Sequence, residues 1–178
     1  MAEMIKCISP VDGRVCAARP VATRKEIAAT FAAARAAQDK WKHLPVAERA
    51  AYCAAAVEAM LAMKDDIIPE LAWQMGRPVR YTPNEIGGGM AERTRKMVEL
   101  APAALADIAA SDKPGFTRFV RKEPLGVVFV VAPWNYPYLT AVNAIVPALV
   151  AGNAVILKHS HQTPLVRSEE HTSELQSH

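Results

Sequence analysis

The chain has 178 residues, 51% of them hydrophobic and 22% charged, and carries a formal net charge of +3. That is the make-up of a globular domain with a sizeable core; its basic residues are scattered and give no nucleic-acid footprint. The longest apolar run, residues 125–134, is too short to span a bilayer, and the amino terminus lacks the basic and apolar stretches of a signal peptide, so no membrane association and a cytoplasmic setting are expected.

The first element expected is a β-hairpin, because "ISPVDGRVCAARPV" places Asp12-Gly13 between short alternating segments. Thr23 and Glu26 have the spacing of a capping box, and Ile27, Phe31, Ala34, Ala37 and Trp41 follow at helical intervals until Leu44-Pro45. Pro45 suits the first turn of a second helix with Tyr52, Val57, Met60 and Leu61 on one face. A third helix is expected to end at Gly76. The three cysteines, Cys7, Cys16 and Cys53, form no CxxC pair and no cluster with histidine. They read as small core residues, and neither a disulfide framework nor a metal site is expected.

Thr82-Pro83-Asn84-Glu85 has the form of another capping box, with helical character resuming through "MAERTRKMVELAPAAL". Gly87, Gly88 and Gly89 between them would cost a regular helix about 2 to 3 kcal/mol relative to alanines, so they are expected to break it or to let another backbone approach closely. From Thr117 the period becomes two: "TRFVRKEPLG" predicts a half-exposed strand that Pro124 interrupts. "VVFVVA" then predicts a strand buried on both faces, "PYLTAVNAIVPALVAG" a helix stopped by Gly152, and "NAVILK" a second buried strand. The result is a βαβ unit, and the class is α/β.

Ligands in such sheets bind beyond the carboxyl ends of the strands, here "PWN" and "KHS". The first turn, "APWNYP", contains no glycine, so the usual dinucleotide fingerprint is absent. Asn135 has two readings at this point: a side-chain donor for an oxyanion, or a cap for the next helix. Lys158, ending a buried strand, either binds ribose hydroxyls or phosphate or is simply solvated.

"EPLGVVFVVAPWNYP" followed by "PALVAGNAVILKHSHQTPL" resembles the aldehyde dehydrogenase superfamily, and "LPVAERA" and "MGRPV" resemble it as well, so the likeness covers residues 5–165. The resemblance implies NAD- or NADP-dependent oxidation of an aldehyde to an acid, through a thiohemiacetal, hydride transfer and hydrolysis of an acyl-enzyme. Asn135 matches the family's oxyanion asparagine, a donor worth about 3 to 4 kcal/mol where it is preorganised. Lys158 matches the lysine that hydrogen-bonds the adenosine ribose. The backbone of Ala132, Pro133 and Trp134 is placed along the cofactor, as are Ser160 and His161 in the motif that follows Lys158. Many relatives carry a glutamate where this chain has His161, so the choice between NAD and NADP stays open. Ala144 stands where many have a lysine, so no proton relay is carried over.

None of the three cysteines matches the family's nucleophile, and its general-base glutamate and nicotinamide loop have no counterpart in the 178 residues. A polypeptide of this sequence alone is therefore expected to be inactive. The resemblance divides the chain into a helical part with an initial hairpin at 1–116, an oligomerisation strand at 117–125 and the first βαβ unit of a Rossmann-like cofactor domain at 126–166. Dimers or tetramers are implied. Residues 167–178, "RSEEHTSELQSH", are polar nearly throughout and resemble the translation of a sequencing adapter, so they are expected to be a non-native tail on a truncated fragment. Two other readings stand beside this one: a coenzyme A-acylating or phosphate-reducing dehydrogenase, and a non-catalytic cofactor-binding or assembly module.

Overall fold

The Asp12-Gly13 turn reverses the chain and pairs strand β1 (Met4–Ile8) with β2 (Val15–Pro20) in antiparallel fashion. The computed structural model describes residues 3–165, so the expectation for 167–178 lies outside the described residues. The hairpin register runs from Met4 opposite Pro20 to Cys7 opposite Ala17, then slips so that Ile8 faces Val15. Cys16 is left as the extra residue of a bulge.

Helix α1 (Arg24–Trp41) begins with the expected capping box: Thr23 Oγ1 accepts from the Glu26 amide, and the Glu26 carboxylate accepts from the Thr23 amide. Only the carboxyl-terminal half of α1 is covered. Ala34 and Gln38 are buried, whereas Ile27 and Phe31 are each 47% exposed. Helix α2 (Val46–Ala62) turns Arg49, Ala50, Cys53 and Val57 inward and leaves Tyr52 exposed, a face rotated from the expected one. Helix α3 (Lys64–Met75) stops at Gly76, whose φ of +69° is left-handed and whose added Cβ would lie 2.8 Å from Pro10 Cγ. Only glycine meets both conditions, so this residue sets the hairpin against the end of α3.

The capping box expected at Thr82 to Glu85 does not form. Thr82 follows a 3₁₀ turn (Val79–Tyr81) without any side-chain cap, and the chain continues as a π-helix (Asn84–Ala91) into α4 (Glu92–Leu105). The glycines neither break this path nor admit a second backbone. A Cβ on Gly89 would lie 2.7 Å from Leu139 Cδ1, so its absence admits a side chain of the next long helix. Widened π turns accommodate residues that regular α-helix disfavours.

Ile108–Ala109 (β3) pairs antiparallel with Phe119–Val120 (β4), and all four residues are exposed. Val127–Val131 (β5), helix α5 (Pro137–Val150) and Ala154–Lys158 (β6) then build the βαβ unit, with β5 and β6 parallel and Val131 opposite Lys158. The molecule is α/β as expected. Burial of β5 on both faces is not observed: Val130 is covered, but Phe129 is 54% and Val131 61% exposed. The described residues form three two-stranded sheets, and no element covers the face that carries Phe129 and Val131.

The core lies between helices, where Cys53, Ile67, Leu71, Ile86 and Met90 meet Tyr138, Val142, Val146 and Val150 of α5. The carboxyl end of α5 is met by the amides of the following turn and also by side chains of α1 and α2. Trp41 Nε1 donates to Leu149 O at 2.7 Å, Arg49 Nε to Val150 O at 2.9 Å and Gln38 Nε2 to Gly152 O at 3.2 Å. Arg49 also donates to the carbonyls of Lys42 and Leu44, so one buried guanidinium joins the α1–α2 connection to the negative end of α5. Asn153 completes the junction: its Oδ1 accepts from the Gly126 amide at 2.9 Å and its Nδ2 donates to Ala148 O at 3.0 Å. Among the described residues no helix is long and apolar enough to cross a membrane.

Arg49→Ala is expected to lower the unfolding free energy by about 3 kcal/mol, because it strands buried carbonyls and removes a helix-end charge. Arg49→Lys restores little of this, since an ammonium lacks the guanidinium's fork of donors. Urea unfolding of the three proteins checks it; unchanged midpoints would show that Arg49 is dispensable.

Candidate functional site

Beyond β5 the sheet pairing continues for one residue, the Ala132 amide donating to Lys158 O at 3.0 Å. Ala132 is buried, while Pro133, Trp134, Asn135 and Tyr136 form an exposed turn ahead of α5. The N-cap position of α5 is Tyr136, and no side chain from the turn caps it. Asn135 therefore does not cap the helix, and its side-chain amide makes no hydrogen bond within the described residues.

The amides of α5 find their acceptor far away in sequence. Glu85 Oε1 accepts from Tyr138 N at 2.9 Å and from Leu139 N at 3.3 Å, while Oε2 accepts from Arg77 Nη1. The Glu85 side chain is fully buried, and that of Arg77 is 13% exposed. Arg77 Nη2 in turn donates to the backbone carbonyl of Asn135, and the guanidinium lies 4.2 Å from the centre of the Tyr136 ring. A carboxylate at a helix amino terminus is favoured by the helix dipole, and a buried one needs several donors to offset its desolvation. Glu85 has three. The result is a turn whose backbone is fixed on one side while the Asn135 side chain is left unoccupied. An open depression of about 350 Å³ lies beside it, lined by Arg77, Tyr81, Asn84, Glu85, Tyr136 and Leu139.

Beyond β6, Lys158 is exposed, and its Nζ donates to the neighbouring His159 carbonyl at 3.3 Å. Ser160 shapes the next turn: its Oγ accepts from Gln162 N at 3.3 Å and its carbonyl from Thr163 N at 3.1 Å. His161 is exposed. His159 is half-buried; burial, helped by the adjacent Lys158 charge, pushes its pKa down to about 4, so the imidazole is neutral at pH 7.

The topology thus gathers Ala132 to Asn135 and Lys158 to His161 at the carboxyl edge of one parallel strand pair. Sequence reasoning missed Arg77 and Glu85. Glu85 was assigned to a local cap at Thr82, and Arg77 offers no signal beyond following the left-handed Gly76. Among the described residues no cluster of three or more histidine, cysteine or acidic side chains suits a metal ion.

A family model described as the aldehyde dehydrogenase family matches residues 1–170. The chain is 33% identical over 158 residues to a 3,6-anhydro-alpha-L-galactose dehydrogenase from Streptomyces coelicolor, a match covering 89% of this chain and 32% of that protein. It is 31% identical over 163 residues to a D-glyceraldehyde dehydrogenase (NADP(+)) from Picrophilus torridus, with 92% and 33% covered. Among solved structures, an NAD-dependent benzaldehyde dehydrogenase from Corynebacterium glutamicum superposes with a TM-score of 0.82 at 30% identity, over 91% of this chain and 35% of that one. The chain spans about a third of the length of the curated relatives it matches.

Two outcomes follow from this geometry. Glu85→Ala is expected to cost about 3 to 5 kcal/mol, since it leaves Arg77 unpaired and two helix amides without an acceptor, and to raise hydrogen exchange at residues 133–139. Unchanged exchange there would show that Glu85 does not hold the turn. For His159 the folded pKa lies below the unfolded value, so the folded state takes up its proton later than the unfolded state does. Its contribution is fully present above about pH 6.5 and is lost as the pH falls towards 4, an effect of about 2 kcal/mol after allowance for partial exposure. Melting scans in that window should show the wild type losing more stability than His159→Gln as the pH falls; parallel curves would refute the assignment.

Proposed function

Because the chain belongs to the aldehyde dehydrogenase family, we propose that its two strand-end turns supply the oxyanion donor and the cofactor edge of a site that oxidises an aldehyde to a carboxylic acid. The observation that carries this reading is the state of Asn135. Its backbone carbonyl is held by Arg77, yet its side-chain amide is exposed and uncommitted. A side-chain amide that leaves a held backbone and has no partner of its own can donate to the charge that develops on an aldehyde oxygen, which is what an oxyanion site requires.

The second turn suits a dinucleotide. Lys158 presents an exposed ammonium at the strand end, where ribose hydroxyls and phosphates are bound in parallel sheets. When bound, NAD or NADP supplies the hydride acceptor. Ala132, Pro133 and Trp134 at one strand end, and Ser160 and His161 beyond the other, would hold it together with Lys158. With His161 in place of a carboxylate, nothing at that position repels a 2′-phosphate, so both cofactors are accepted. On this reading residues 126–166 are the first unit of the cofactor domain and residues 1–116 its helical support. Segment 117–125, in which only Phe119–Val120 is strand and both residues are exposed, is the pairing edge for a dimer or tetramer.

The chain's own thiols do not provide the nucleophile. Cys53 is buried in the helical core with its pKa raised to about 11, and burial pushes Cys7 up to about 12, so neither forms a thiolate at neutral pH. Cys16 faces Cys7 within the hairpin. A polypeptide of these residues alone thus orients substrate and cofactor but completes no turnover.

Titration of the 178-residue chain with NAD and with NADP, followed by tryptophan fluorescence, is expected to give dissociation constants within about tenfold of each other, and Lys158→Ala to weaken both by about tenfold. Binding that is indifferent to Lys158 would remove it from the cofactor edge. Incubation with aldehyde and cofactor should yield no reduced nicotinamide; aldehyde-dependent reduction that disappears in a cysteine variant would overturn the proposed inactivity.

A further inference from the structure

The cysteines left unused by this reading are not equivalent. Cys7 Sγ lies 3.3 Å from Cys16 Sγ, while Cys53 sits apart in the helical core. The bulge produces this pair: the register slip after Cys7 frees Cys16 from a partner of its own. Neighbouring residues across antiparallel strands lie at Cα separations that a disulfide can span. Cys7 is only 2% exposed, whereas Cys16 is partly open to solvent.

Cys7 also reaches beyond the hairpin. Its thiol donates to the carbonyl of Gln162 at 3.1 Å, in the loop that follows Lys158 and Ser160. The same loop is held a second time, by the Leu165 amide donating to Gln74 Oε1 at 3.0 Å. A buried thiol that keeps its proton thus ties the amino-terminal layer to the strand-end loop.

We infer that Cys7 and Cys16 form a reversible dithiol–disulfide site, and that its oxidation releases the loop around Gln162. The oxidant is hydrogen peroxide, and it enters at Cys16, the accessible member. Cys16 S–H and a peroxide O–O bond give a sulfenic acid, Cys16 S–OH, and water. The sulfur of Cys7 then displaces the hydroxyl: the S–S bond forms, the S–O bond breaks, and the Cys7 proton leaves with the hydroxyl as a second water. Two thiols lose two electrons and the peroxide gains them. Cys7 has then lost the proton it shared with Gln162, and that carbonyl loses its donor. Excess exogenous thiol reverses the step by exchange. None of this depends on the dehydrogenase reading.

The test uses the 178-residue chain and hydrogen peroxide. Trypsin cuts after Lys6, Arg14 and Arg24, so Cys7 and Cys16 fall in separate peptides, 7–14 and 15–24, which a disulfide joins. The expected result is that joined pair as the main product, formed at least about tenfold faster in the folded chain than in urea and reversed by dithiothreitol. Cys16→Ser should abolish it and Cys53→Ala leave it intact. On oxidation, hydrogen exchange at residues 159–165 should rise in the wild type and stay constant in Cys16→Ser. Separate sulfinic acids on Cys7 and Cys16, equal cross-linking to Cys53, or a rate no faster than in urea would overturn the site. Joined peptides with unchanged exchange at 159–165 would overturn the release of the loop.

Discussion

Helix α5 is gripped at both ends by charge from other parts of the chain, and the strand-end geometry depends on that grip. Glu85 meets its amino-terminal amides and Arg49 its carboxyl-terminal carbonyl, each of the sign that the helix dipole favours. Both side chains are buried, so each is expensive to desolvate and is offset by several hydrogen bonds. Since α5 links β5 to β6, fixing its two ends fixes where each strand releases its following turn. The apolar contacts of Val142, Val146 and Val150 supply adhesion without direction. The directional hydrogen bonds set the axial position.

Arg77 extends the same network outward. It pairs with Glu85 on its buried side, holds the Asn135 carbonyl on its outer side and lies over the Tyr136 ring. The division of labour within Asn135 follows: the backbone is constrained by the protein, and the side chain is not. A capping asparagine accepts through Oδ1, and that bond would set the direction of its Nδ2 donor. With the cap supplied by Glu85, the Asn135 side chain is free of that constraint.

Local signals in the sequence were read correctly where local forces decide the outcome. The Asp12-Gly13 reversal, the Thr23–Glu26 capping box and the left-handed stop at Gly76 all depend on a few adjacent residues. The Thr82–Glu85 motif has the same appearance but fails, because a carboxylate with three donors waiting in the folded core gains more there than one amide offers locally. Ile27, Phe31, Phe129 and Val131 carry the periodicity of buried faces yet remain exposed, since the described residues include nothing that covers them. The sulfur pair was illegible for another reason. A one-residue bulge changes which side chains meet, and no composition or spacing rule records it. The strand-end residues were placed by topology, whereas the groups that hold them came from the helical layer, to which no function had been assigned.

The clamp on α5 also sets an order of events during synthesis. Gln38 is separated from its acceptor at Gly152 by 114 residues, Arg49 from Val150 by 101 and Cys7 from Gln162 by 155. At 5 to 20 residues per second, a ribosome takes about 6 to 23 s to pass from Gln38 to Gly152. Throughout that interval Arg49 has its local acceptors at Lys42 and Leu44 but lacks the Val150 carbonyl, and α2 lacks the apolar face of α5. The amino-terminal layer therefore cannot complete its packing until α5 has emerged.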